Sequence, residues 1–323
     1  MPGPKAIQVV MFMLGALAGS APAQTYPSKP VRMLVPTTPG GSVDTLARTI
    51  GPKLAERWGQ QIIVDNRPGA GGTIAGDLTA KAPPDGYVLM LGTIAALCTN
   101  VSLQKTIPYD PIKDFAPVSL VATQNLMLVV HPSVPAKSVK ELVRFAKVQA
   151  GNLSFASAGN GTGSHLSGEL FKQLAGVDIL HIPYKGVQPA MVDVISGQVA
   201  VNFPSILTAL PHVRSGRVRA LSVTGASRTR AAPELPTMQE AGVKGYESAT
   251  WYGIVAPAAT PQDIVAKLSS EVAAILKQPD TNERLSREGA DPVGSSPQEF
   301  GKFMQQEIEK WRRVIRAAGI QPS

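Results

Sequence analysis

LSFASAGNGTGSHLSGELF, residues 153–171, reads as a short strand, a glycine-rich loop and the opening of a helix. Gly159, Gly161 and Gly163 stand among small or hydroxyl-bearing neighbours, Ser157, Ala158, Thr162 and Ser164. Glycine has no Cβ to hold the main chain away from a ligand, so backbone N–H groups of such a loop reach one closely. The helix that follows points its unpaired N–H groups and the positive end of its dipole at the same place. An anion is the natural occupant.

Working outward, the same design recurs at LVPTTPGGSVD, residues 34–44. VRMLVP (31–36) is a strand, and Val43, Leu46, Ala47, Ile50 and Leu54 then recur on one helical face, with Ser42 or Asp44 as the expected N-cap and Gly59 as the stop. QIIVDN (61–66), a helix over 73–81 and YVLMLG (87–92) continue the alternation, which is the signature of a parallel α/β layer structure. A second series runs through NLMLVVHP (125–132), a helix over 138–149, the opening stretch, DILHIPY (178–184), a helix over 187–196, GQVAVNF (197–203), a helix over 205–214 and RVRALSVTG (217–225). TWYGIVAP (250–257) and helices at 261–277 and 297–317 close the chain. Three strands and two helices make a thin core for the first unit, so the chain is expected to cross back to it. The expected organisation is domain 1 over residues 24–125 plus 248–323, and domain 2 over 126–247.

The first residues are of another kind. Lys5, the apolar run AIQVVMFMLGALAG (6–19) and the small residues up to Ala23 follow the order of a secretory signal, cleaved after Ala23. Fourteen apolar residues are too few for a membrane span of about 20. The chain is therefore expected to be exported to a periplasm, where its single cysteine, Cys98, leaves no internal disulfide and reads as a small buried hydrophobe. The 31 Lys and Arg against 23 Asp and Glu give +8, and loss of Lys5 with the leader lowers this by one. The tightest basic cluster, Lys310, Arg312, Arg313 and Arg316, lies on a terminal helix without aromatic interleaving, so it reads as a solvated face and no nucleic-acid partner is expected.

The glycine loops fit no nucleotide motif, since no Lys follows either cluster and Ser164 stands where a G-x-G-x-x-G counted from Gly159 needs glycine. No G-x-S-x-G elbow is present, and His131, His165, His181 and His212 lack metal-binding spacing. No metal and no cofactor are expected. His165, in the first turn of the key helix, is the histidine that could touch a ligand. The reading that competes with a binding protein is an exported serine hydrolase using Ser164 or Ser167 with His165. In open α/β sheets ligands bind beyond the carboxyl ends of strands, so two such loops in two domains predict a site across a cleft. Two helix ends contribute about 2 kcal/mol each at most, whereas micromolar affinity needs about 8 kcal/mol, so a hinged clamp that excludes water is expected to supply the remainder.

These motifs have one order in common with a known family. YPSKPVRMLVP, PGGSVD, VDNRPGAGG, PPDGYVLMLGT, PYDPIKDFAPVSLVA, SFASAGNGTGSHLSGELF, HIPYKG and WYGIVAPAATP run through essentially the whole mature chain. On them the chain resembles the periplasmic substrate-binding receptors of tripartite tricarboxylate transporters, the Bug receptors. The resemblance implies a non-enzymatic, monomeric two-domain periplasmic binding protein of type II-like α/β fold. Each domain would be a mostly parallel sheet flanked by helices, and two crossing strands would join them. It implies a small carboxylate held in the cleft and membrane transporter subunits as partners, with a sensor kinase as the other receiver left open. By position it points to Thr38, Pro39, Gly40, Gly41 and Ser42 in domain 1, and Thr37 beside them is a further ligand-binding candidate. In domain 2 the resemblance points to Ser157, Ala158, Gly159, Asn160, Gly161, Thr162 and His165. Thr37 stands where the family usually has an aromatic residue, Ile94, Ala95, Ala96 and Leu97 where a polar run is common, and Pro204 where Asp or Gly is frequent. With Thr93, Ile94, Tyr184, Phe203 and Pro204 as its distal lining, the pocket is expected to take a carboxylate with an apolar or aromatic body rather than a citrate-like polyacid.

Overall fold

The structure is a computed structural model that describes residues 26–287 and 289–322; the expected leader lies outside the described residues. Two sheets organise the chain. The first contains β1 (Val31–Val35), β2 (Ile62–Asn66), β3 (Val88–Thr93), β4 (Phe115–Asn125), β10 (Ala249–Pro257) and β11 (Ala290–Pro292), in the order β11-β4-β10-β3-β1-β2. The second contains β5 (Met127–Val130), β6 (Ser154–Ser157), β7 (Leu180–Pro183), β8 (Val201–Asn202) and β9 (Arg219–Val223), in the order β7-β6-β8-β5-β9.

Both sheets are mixed. β1 pairs in parallel with β2 and β3, while β10 runs antiparallel to β3 and β4, so β4 shares the direction of β1 to β3. In the second sheet β6 pairs in parallel with β7 and β8, and β5 runs against both β8 and β9. The reversed strands arise where the chain passes between sheets. β4 leads through Leu126 directly into β5, and β10 returns to pair along the length of β4, from Asn125 against Ala249 to Phe115 against Pro257. Local periodicity marks neither β4 nor β11, and only the resemblance implies the two crossing strands.

Strand alternation sorts the core. Val31, Met33 and Val35 of β1 face α1 (Ser42–Trp58) and α8 (Gln262–Leu276), whose Leu46, Ile50, Leu54, Val265, Leu268 and Val272 complete one apolar cluster. Leu34 and Met90 turn to the opposite face, towards α2 (Thr73–Ala80) and the long α10 (Pro297–Ala317). That second cluster passes through Leu126 into the second sheet, where it takes in α4 (Val139–Val148) and α5 (Gly163–Ala175). α6 (Val187–Ile195) and α7 (Ile206–Arg214) cover the other side of the second sheet. α3 (Asn100–Leu103) and α9 (Pro279–Arg287) are short connections.

α10 starts with a capping box between Ser296 and Glu299 and buries Phe300, Met304, Trp311 and Ile315. Its Glu307 accepts the indole N–H groups of both Trp251 (3.0 Å) and Trp311 (2.8 Å). Trp251 belongs to β10, so this buried carboxylate fixes the crossing strand from behind. By alternation it also fixes the opposite aim of the neighbours Thr250 and Tyr252.

Candidate functional site

The two glycine loops meet at β10. Tyr252 donates its hydroxyl to Gln124 Oε1 at 2.8 Å, and its phenol, pushed up to about 12 by burial, has Ser42 and Thr250 close enough to pull it the other way. Ser42 is the first residue of α1. Gly163, the first residue of α5, lies against Thr250 so closely that a Cβ on it would stand 3.2 Å from Thr250 Cβ. Thr250 and Tyr252 are next-but-one neighbours on a strand, about 7 Å apart along it. The N-termini of α1 and α5 therefore converge on one short stretch of the crossing strand, as a site across a cleft requires.

The first loop is open. Thr38, Pro39 and Gly40 are exposed. Neither Ser42 nor Asp44 serves as the expected N-cap: Gly41 occupies that position, and no side chain caps α1. Asp44 lies one turn in, 3% exposed, and uses its carboxylate to hold the loop from below. It accepts the Gly40 N–H (2.9 Å), Asn66 Nδ2 (2.9 Å) and Arg48 Nε (3.0 Å), while Asn66 also donates to the Thr37 carbonyl (3.0 Å). Burial opposes the charge on Asp44, but the hydrogen bonds from Arg48, Gly40 and Asn66 outweigh it and hold the carboxyl below its ordinary range. The N–H groups of Ser42 and Val43 have no partner among the described residues. Thr37 Oγ1 is buried inside the loop and is also unpartnered among them.

The second loop has spent most of its donors on itself. Ala158 N–H goes to Ser164 Oγ (2.9 Å), Gly159 N–H to Ser157 Oγ (3.1 Å), Gly161 N–H to His165 Nδ1 (3.0 Å) and Thr162 N–H to the Gly159 carbonyl (3.3 Å). Thr162 caps α5, accepting the His165 N–H. The N–H groups left without a partner among the described residues are those of Asn160, Gly163 and Ser164. The loop is also docked on the first sheet's connections: Thr99 donates to the Gly161 carbonyl (3.1 Å), and Leu103 lies over Gly161.

His165 is 2% exposed and stacks on His181 with ring centroids 4.0 Å apart, while His181 Nε2 lies 2.6 Å from Ser157 Oγ. Burial, then the neighbouring His181 and Lys172, bring His165 down to about 3; burial and Lys172 bring His181 down to about 4. Both rings are thus neutral, which suits a ring nitrogen that accepts a backbone N–H. Glu169, beside His165, is moved up by burial against the pull of Lys172. His165 supports the loop from beneath and, with Asn160 and His181, lines a cavity of about 320 Å³ whose other wall includes Asn100 and Gln104.

The serine hydrolase constellation is not assembled. Ser167 is fully buried and shares its hydrogen bond with Ser248 (2.7 Å), Ser164 pairs with Thr162 and the Ala158 N–H, and His165 bonds to Gly161. Part of the expected distal lining is also corrected. Phe203 is fully buried, with Phe155 and Phe171 at ring distances of 6.3 and 6.1 Å. Ile94, Ala96 and Leu97 turn into the core through a π turn, Ala95–Thr99. Pro204 is buried, its carbonyl accepting the Met127 N–H. Thr93 and Tyr184 remain part-exposed, the Tyr184 hydroxyl being committed to Asp193 (2.6 Å). Sequence reasoning missed Gln124, Thr250 and Tyr252, because strand residues distant in the chain carry no local motif.

Residues 46–320 match the family profile of the tripartite tricarboxylate transporter family receptor. Protein BugT of Bordetella pertussis is 36% identical over 96% of this chain and 95% of its own. Among solved structures, R. palustris Rpa4515 with adipate superposes with a TM-score of 0.85 at 39% identity, covering 92% of this chain and all of the other. MatC from Rhodopseudomonas palustris with bound malate gives 0.79 at 35% identity, over 90% of this chain and all of its own.

Proposed function

This chain belongs to the tripartite tricarboxylate transporter receptor family, and from that premise we propose that it captures a small carboxylate between its two sheets and delivers it to membrane transporter subunits. A sensor kinase is the alternative receiver. The domains proposed are 24–125 plus 248–323, and 126–247, with a leader cleaved after Ala23 and a monomer as the working unit. The observation that carries this reading is the convergence of two helix N-termini, with the N–H groups of Ser42, Val43, Asn160, Gly163 and Ser164 unused, on Thr250 and Tyr252. Such groups are charge-assisted donors to a carboxylate, each bond being worth about 1.5–3 kcal/mol. The buried, unpartnered hydroxyl of Thr37 supports the same occupant or a water that accompanies it.

None of the residues gathered there carries a positive charge, since Arg48 is engaged by Asp44. The proposed ligand is therefore a monocarboxylate, or a diacid whose second group stays hydrated or finds N–H groups. With Ile94 and Phe203 in the core, an apolar body is no longer required of it.

Ligand released from the purified, denatured protein and identified by mass spectrometry tests the class directly. Calorimetric titration with adipate, malate and benzoate, each against its amide, is the quantitative form. Binding of at least one acid with its amide silent is expected; an amide or a neutral sugar binding more tightly than every acid sinks the proposal.

A further inference from the structure

A groove of about 890 Å³ runs between α7 and α9, away from the junction of the glycine loops. Its walls belong to different sheets. α7 follows β8 and begins two residues after Pro204, whereas α9 precedes β11. The two are brought close where the chain leaves α9 and enters α7: a Cβ on Gly289 would come within 2.9 Å of Ile206 Cβ. The rim is cationic: Arg214, Arg230, Lys277 and Arg287 stand against one acid, Glu283, among the described lining residues. Glu283 is already paired with Arg287. Arg214 and Lys277 are exposed and have no ion pair among the described residues. The apolar part of the lining is Leu210, Pro211 and a Leu207 that is 46% exposed.

We propose that this groove docks an acidic, leucine-bearing segment of a protein partner. Unpaired cations around an exposed leucine complement a segment with acids on its edges and an apolar side chain between them. A small anion would use the rim and leave the apolar lining unexplained. The walls ride on separate sheets, so any ligand-driven movement between the sheets changes the groove's width. Segment and ligand are then coupled, and the coupling is reciprocal. The inference goes beyond carboxylate capture and is tested without it.

The probe is a fluorescein-labelled peptide of about twelve residues with a repeating Glu-Glu-Leu pattern, titrated with the mature full chain by fluorescence anisotropy at about 50 and about 200 mM salt. Binding that weakens with salt is expected, and Arg214→Glu with Lys277→Glu should weaken it about tenfold or more. Reversing two exposed charges on α10, Arg313→Glu with Arg316→Glu, controls for the overall positive charge and should change it less than about twofold. Leu207→Ser should weaken it severalfold. Circular dichroism melts confirm that each variant is folded. No binding, equal losses in the two double variants, or an all-glutamate peptide that binds as well as the leucine-bearing one overturns the proposal.

Discussion

The loops β1–α1 and β6–α5 are similar in composition and opposite in state. Each leaves a strand through glycines and hydroxyl residues and enters a helix. The first is exposed, its helix uncapped, with one buried acid, Asp44, holding it from below. The second is capped by Thr162, internally hydrogen-bonded and pinned by Thr99 and Leu103. A hydroxyl beside a glycine turn can thus serve the backbone or leave it free. The second loop is fixed by its own hydrogen bonds and leaves free the donors of Asn160, Gly163 and Ser164; the first is held only from below and leaves free those of Ser42 and Val43.

The largest expected effect concerns the histidine stack under the second loop. Both rings have folded values below the unfolded one of about 6.5, so protons bind preferentially to the unfolded chain. The stability they contribute is complete above pH 6.5 and is lost as pH falls through about 4 and about 3. Urea denaturation at pH 7 and pH 4 should show the wild type losing on the order of 3 kcal/mol more than a His165→Gln, His181→Gln variant. Equal losses would separate the loop's order from the stack.

A smaller contrast lies in the glycines. Gly161 has φ of 76°, and a Cβ there would stand 2.5 Å from Leu103 Cδ1; Gly40 has φ of 86° with nothing within 4 Å. Gly161→Ala should cost about 2–3 kcal/mol and Gly40→Ala only about 1, as backbone strain without a clash. Thermal melts that rank them the other way would break the contrast between a docked loop and an open one. The smallest effect is at the helix starts: Thr162→Ala should cost about 1 kcal/mol as a lost cap, and Ser42→Ala under about 0.5, since Ser42 caps nothing and Tyr252, its neighbour, keeps Gln124 as hydrogen-bond acceptor without it. If Ser42→Ala proves as costly, α1 has a cap in solution after all.

Much of the fold was legible because it follows local periodicity. The strands and helices from Val31 to Leu91 and from Met127 to Val223 stand within a few residues of their expected spans. β4 was not legible, since its buried face includes Ser119 and Gln124, which read as polar until Ser295 and Tyr252 are seen to satisfy them. Ile94 and Phe203 were misplaced for the converse reason: an apolar residue after a strand fits a pocket wall and a core equally well. Both glycine loops were found, but Ser42 and Asp44 were given a capping role that the backbone at Gly41 takes instead.

By itself the sequence determined the α/β alternation, the two strand-glycine-helix turns and the family, because each is written in spacing along the chain. Tertiary structure alone decided which N–H groups remain free, that Thr250 and Tyr252 join loops some 120 residues apart, and that α7 and α9 face one another across a cationic groove. A hydrogen-bond donor is occupied or vacant according to every group that reaches it, and the groups that reach these come from distant segments.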